Sequence, residues 1–83
     1  MGQLHVLFFA SARQAAGQAE ATIQCEENGI NEALFWDRLI ADFPALASLR
    51  GSVRLARNCE YLAQGERFSP QDEAAVIPPV SGG

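Results

Sequence analysis

An α+β fold is predicted, a mixed sheet of four to five strands with one main helix packed across one face. Three observations predict it. An almost wholly apolar stretch, "LHVLFF", opens the chain, and another, "EAAVI", stands near its end. Between them one segment, "INEALFWDRLIADFP", carries helical periodicity. The other apolar runs are short, alternating and bounded by turn residues, as strands are. Strands apolar on both faces belong in the middle of a sheet. A lone amphipathic helix buries its stripe by lying across that sheet.

The elements follow in order. Leu4 to Ala10 reads as the first strand, and "SARQAAG" (residues 11–17) breaks it with small residues and a glycine stop. Glu20 to Glu26 alternates: Ala21, Ile23 and Cys25 point one way, Glu20, Thr22, Gln24 and Glu26 the other. These two strands form a hairpin. "EENG" is a turn. In the helix, Ile30, Ala33, Leu34, Trp36, Leu39, Ile40 and Phe43 share one broad face. Asn28 or Asn31 caps its start, and Pro44 ends it at or before Phe43. "ALASLRGS" is a connector with room for a short helical turn. "VRLARN" is the third strand, with Arg54 and Arg57 on opposite faces. "YLA" is a short edge strand, "QGERFSPQD" a loop, and "EAAVI" the final strand, stopped by Pro78 and Pro79. With the first and last strands side by side in the centre, the order resembles the ubiquitin-like β-grasp. Residues 1–77 make the domain and residues 78–83 an extended C-terminal tail.

The 83 residues allow one modest core and little material for an enclosed catalytic cavity. The net charge of −4 argues against nucleic acid and anionic membrane as partners. All six basic residues are arginine, which an arginine-leaning genome explains more readily than a need to avoid amines near an activated terminus. Cys25 and Cys59 form no metal or redox motif. Cys25, in an apolar alternation, is expected to be buried. The amino terminus lacks the basic region of a signal peptide, so a reduced cytoplasmic protein is expected. His5, the only histidine, is expected as a half-exposed strand residue rather than a general base. Glu26/Glu27 and Asp72/Glu73 read as solvated turn residues, Arg13 as a surface cation, and Asn58 as a turn residue bonding its own backbone.

The tail is the distinctive segment. "IPPVSGG" has a stiff Pro-Pro base and ends in two glycines slim enough for a narrow channel. Its last six residues span roughly 20 Å when extended. A frayed end, a cloning remnant and an arm built for insertion all fit such an ending. A frayed end needs no stiff base, and a remnant would not follow so smoothly from a strand.

"VLFFASAR" near the start and "DEAAVIPPVSGG" at the end resemble the small subunit of molybdopterin synthase, a ubiquitin-like sulfur carrier, and the resemblance covers the whole chain. It implies that an ATP-dependent adenylyltransferase activates the carboxylate of Gly83, the route by which a nucleotide is met. Sulfur from a donor such as a cysteine desulfurase or rhodanese then makes a thiocarboxylate, a covalent 1-thioglycine at Gly83. Gly82 gives the arm clearance. The arm enters the synthase large subunit, in a heterotetramer of two small and two large chains, and donates sulfur to cyclic pyranopterin monophosphate. Two deliveries complete the molybdopterin dithiolene. The small subunit is then no enzyme by itself and binds no cofactor or metal. The partner-binding positions are Tyr61 and Ile77 on the sheet and Pro78, Pro79, Val80 and Ser81 in the arm. Four positions depart from the family pattern: Val76 and Ile77 replace two aromatics, Gln71 a turn glycine, and Arg57 an apolar strand residue. A carrier for thiamine thiazole or another sulfur pathway, and a ubiquitin-like protein modifier or interaction module, are the alternatives.

Overall fold

The computed structural model describes residues 2–79. Among the described residues five strands and two α-helices form: β1 (Gly2–Phe8), α1 (Ala10–Ala16), β2 (Glu20–Cys25), α2 (Glu32–Asp42), β3 (Arg54–Arg57), β4 (Glu60–Tyr61) and β5 (Glu73–Ile77), with a 3-10 helix at Pro44–Leu49. The sheet order is β2-β1-β5-β3-β4. β1 and β5 run parallel in the centre with His5 opposite Glu73 and Phe8 opposite Val76. All other pairings are antiparallel. The mixed sheet, its central pair and the final strand are as the hydrophobic pattern predicts.

One face of the sheet is dry. Leu4, Val6, Phe8, Ile23, Cys25, Leu55, Ala74 and Val76 point into it and are buried. The helix α2 covers them with Phe35, Trp36 and Leu39. The rings interlock: Phe35 meets Trp36 edge-on at 5.7 Å and Phe68 at 4.9 Å, and Phe8 meets Phe43 edge-on at 5.4 Å. Burying each such aromatic contributes about 1.5–3 kcal/mol. The side chain of Asn31 caps α2 by accepting from the Leu34 N–H at 2.8 Å. Arg38 reaches from α2 to the Glu26 carboxylate, donating from Nη2 at 2.7 Å, and ties the helix to the end of β2.

Several boundaries differ from the sequence expectation, each for a local reason. β1 ends at Phe8, because Ala10 bends the chain with φ 50°. The expected break at residues 11–17 is instead α1, a seven-residue helix. Its alanines favour helix, and Gly17, left-handed at φ 77°, receives the last turn by donating its N–H to the Arg13 carbonyl. β1 and β2 therefore pair as a hairpin does, but across a helix. The main helix is shorter than its apolar pattern. Ile30 lies before it, exchanging two 2.9 Å hydrogen bonds with Phe68 in an isolated bridge. Gly29 makes that approach possible: its φ is 88°, and a Cβ there would lie 2.5 Å from the Phe68 carbonyl oxygen. Dropping Ile30 rephases the helix, so Ala33 is exposed and Phe35, absent from the expected face, is fully buried. Among the described residues no helix is long and apolar enough to cross a membrane.

Candidate functional site

The second face of the sheet has no covering layer among the described residues. The period-two rule sends Gln3, His5 and Leu7 of β1, Glu20, Thr22 and Gln24 of β2, Arg54 and Ala56 of β3, and Glu73, Ala75 and Ile77 of β5 to this side. These residues divide the face in two. The half over β2 is polar. There the His5 ring bonds the Glu20 carboxylate through Nε2 at 2.7 Å, and its Nδ1 stands 3.7 Å from Glu73. The half over β5, β3 and β4 is apolar.

The apolar half forms an open depression of about 310 Å³ lined by Leu7, Phe9, Ala56, Cys59, Tyr61, Glu73, Ala75 and Ile77. Among the described residues Phe9 and Tyr61 are the exposed large hydrophobics, at 47% and 56%. Exposed aromatics gathered over one apolar floor mark a protein contact surface. The helix covers one face of the central strands, as expected, and leaves the other open. "VLFF" and "AAVI" are apolar on both faces because one side meets α2 and the other forms this surface.

Local geometry explains how each wall is held. Phe9 starts α1, and its N–H donates to the Val76 carbonyl at 3.2 Å, which fixes it beside β5. Tyr61 lies on the edge strand opposite Ala56. β3 and β4 are joined by a two-residue turn in which Asn58 and Cys59 both take positive φ, 53° and 72°, the primed geometry that suits strand twist. The Asn58 side chain does not bond its own backbone as expected. It donates to Asp72 at 2.9 Å and accepts the Glu73 N–H at 2.9 Å, tying the turn to the start of β5. Glu73 accordingly belongs to a strand, not a turn. Arg57, on the dry side of β3, donates to Glu66 at 2.7 Å and to the Arg67 carbonyl at 2.7 Å, holding the loop that leads to β5. The guanidinium of Arg54 lies over the Tyr61 ring, 3.9 Å from its centroid.

Of the sequence-predicted partner positions, Tyr61 and Ile77 come together on this depression. Pro78 is buried and Pro79 exposed. Val80, Ser81, Gly82 and Gly83 lie outside the described residues. The sequence reading missed Leu7, Phe9, Ala56 and Ala75. Their signal was the second apolar face of the central strands, which a covered sheet would produce equally well. Arg13 is exposed on α1, away from the depression. The two cysteines are unpaired. Cys25 is buried, with its thiol pushed above its ordinary range by burial and then by the neighbouring Glu26, while Cys59 is exposed. Among the described residues no group of three or more His, Cys, Asp or Glu is placed to hold a metal ion.

Comparison with known proteins adds family to this geometry. Residues 6–83 match the model of the ThiS family. The molybdopterin synthase sulfur carrier subunit of Arabidopsis thaliana is 36% identical over 81 residues, covering 98% of this chain and 83% of that protein. The crystal structure of SAMP1 from Haloferax volcanii is similar with a TM-score of 0.83 at 30% identity, covering 99% of this chain and all of that one. A crystal structure of the H. volcanii small archaeal modifier protein 1 is similar with a TM-score of 0.77 at 28% identity, over 96% of this chain.

Proposed function

Because the chain belongs to the ThiS family, we propose that it is a sulfur carrier, the small subunit of molybdopterin synthase. The observation that carries this reading is the apolar surface beside the end of β5, where the chain continues through Pro78 and Pro79 toward a Gly-Gly terminus. A carrier needs a grip for its partners and a slim reactive end, and the described residues supply the grip. The relatives' name, molybdopterin synthase sulfur carrier subunit, points to the same work.

The chemistry proceeds in three steps. The Gly83 carboxylate attacks the α-phosphate of ATP on an adenylyltransferase and pyrophosphate leaves, which makes an acyl adenylate. A persulfide from a cysteine desulfurase or rhodanese then displaces AMP. Reductive cleavage of the S–S bond by a thiol leaves a thiocarboxylate on Gly83, and that thiol is oxidised to a disulfide. The thiocarboxylate is a soft nucleophile. Within the large subunit its sulfur passes to cyclic pyranopterin monophosphate, and two such transfers build the molybdopterin dithiolene. This chain contributes the reactive terminus and the docking face with Tyr61 and Ile77, while Gly82 keeps the approach slim. Acid–base groups for the transfer belong to the large subunit, so the small chain is not an enzyme by itself. The cytoplasm, where thiols stay reduced, is its setting.

Intact mass tests the reading. After incubation with ATP, an activating enzyme and a sulfur donor, the chain gains about 16 Da as one oxygen is replaced by sulfur. An unchanged mass, or a gain that survives deletion of Gly82 and Gly83, refutes it. A second reading draws on the likeness to the archaeal modifier protein: the activated terminus forms amide bonds with lysines of other proteins. ATP-dependent conjugates of high mass in the same incubation favour that reading.

A further inference from the structure

We propose that Arg54 selects the partner at the docking face. Its guanidinium, laid on the Tyr61 ring, receives a carboxylate carried beside an apolar projection of the protein that accepts the tail. The proposal rests on the sulfur-carrier reading for the partner's identity.

Four observations carry it. The first is an unsatisfied charge. Arg38 is paired with Glu26 and Arg57 with Glu66, whereas Arg54, like Arg13, Arg50 and Arg67, has no carboxylate partner among the described residues, and of these four it is the one that lies over a residue of the depression. This holds in a chain with ten acidic residues and a net charge of −4. The second is preorganisation. The guanidinium carbon of Arg54 lies over the Tyr61 ring, 3.9 Å from its centroid, and that cation–π contact engages no carboxylate. A stacked arginine keeps its fork free for two parallel hydrogen bonds to a carboxylate and loses less freedom when it makes them.

The third is position. Arg54 pairs in register with Ile77, the last residue of β5, just before Pro78. A partner carboxylate on Arg54 therefore stands near the point where the chain leaves the sheet. The fourth is polarity along the depression. Glu73 lines the same depression four residues before Ile77, about 13 Å away along the strand. A positive group at the tail end and a negative group at the other, with an apolar floor between, admit a complementary surface in one orientation. The apolar floor supplies contact area, and the charges supply register and discrimination.

The test uses the full chain and the molybdopterin synthase large subunit from the same organism. Binding is measured by calorimetry at low and high ionic strength for the wild type and for Arg54→Met, Arg54→Lys and Arg54→Glu. Met keeps an apolar stem on the Tyr61 ring and removes only the charged fork. Arg54→Met is expected to weaken binding by about tenfold or more, and to flatten its salt dependence. Arg54→Lys restores part of the loss, because an ammonium is a point charge without the fork, and Arg54→Glu binds most weakly. An Asp or Glu to Lys change on the large subunit that restores binding to Arg54→Glu identifies the receiving carboxylate. Arg54→Met binding within twofold of wild type with the same salt slope overturns the proposal, and so does Arg54→Lys binding as tightly as wild type. Absence of wild-type binding overturns the carrier reading and this one with it.

Discussion

At the residue scale, the ion pairs show how a small acidic chain uses its arginines as staples. Hydrogen bonding from Arg38 holds the Glu26 carboxyl below the usual carboxylate range. Glu66 is likewise lowered, first by the Ala63 N–H and then by Arg57. For both, the folded pKa lies below the unfolded one. Each pair therefore stabilises fully above the ordinary carboxylate value of about 4.3, and the gain is lost as pH falls through the lower folded value. Both groups are accessible to water, so screening keeps each effect small. Thermal unfolding of wild type and of Glu26→Gln with Glu66→Gln, followed from pH 7 to pH 3, checks this. The midpoint difference is expected to be largest near neutrality and to shrink toward the acid end; a constant difference contradicts it. Neither pair was legible in the sequence. Arg38 stands 12 residues from Glu26 and Arg57 nine from Glu66, and only the fold decides which distant charges meet. Asn31 as a cap was legible, because a side-chain cap is a local device.

At the element scale, the strands with one wet face were read correctly and the helix boundaries less so. Alternation in β2 named Ala21, Ile23 and Cys25 as the inward set, and Ile23 and Cys25 are buried. The helix face slipped because Ile30 was counted into it. A tertiary contact, the bridge to Phe68 beyond Gly29, claims that residue. The helix α1 was missed because seven residues are too few to show periodicity, although Gly17 at its end was the available sign. The rephased α2 makes a definite prediction. Phe35 sits between Trp36 and Phe68 and is fully buried, so Phe35→Ala should cost about 3–5 kcal/mol. Ala33→Ser, on the exposed side of the same helix, should cost about 0.5 kcal/mol, its helix-propensity difference. Urea unfolding of the two variants distinguishes the phases; a larger loss at residue 33 would restore the face that includes Ile30.

At the scale of the whole molecule, one sheet serves two clients. Its dry face is buried by α2 and gives the chain stability, while its open face gathers Leu7, Phe9, Tyr61, Ala75 and Ile77 around one depression, the surface proposed for a partner. Composition could not separate these roles, since apolar residues are chosen for both. The pairing of Tyr61 with Ile77 came from family resemblance, whereas the surrounding floor emerged only once β1, β3 and β5 were side by side. Grip and reactive end are then separable by mutation. Among the described residues the buried core runs from Leu4 to Val76, so on deleting Gly82 and Gly83 the thermal midpoint should stay within about 2 °C of wild type, well inside the ~4–8 °C that 1 kcal/mol produces in a domain this size. The deleted chain should still occupy the large subunit through its sheet face and compete there with the wild type, while transferring no sulfur. Ile77→Asp keeps the terminus intact and puts a charge on the apolar floor beside it, so it should lose capture by about tenfold or more, since burying an uncompensated carboxylate is costly. Competition binding and single-turnover sulfur transfer, measured on both variants, test this division of labour. If the tail-deleted chain cannot compete, the terminus itself carries the affinity, and the open face is not the grip assigned to it.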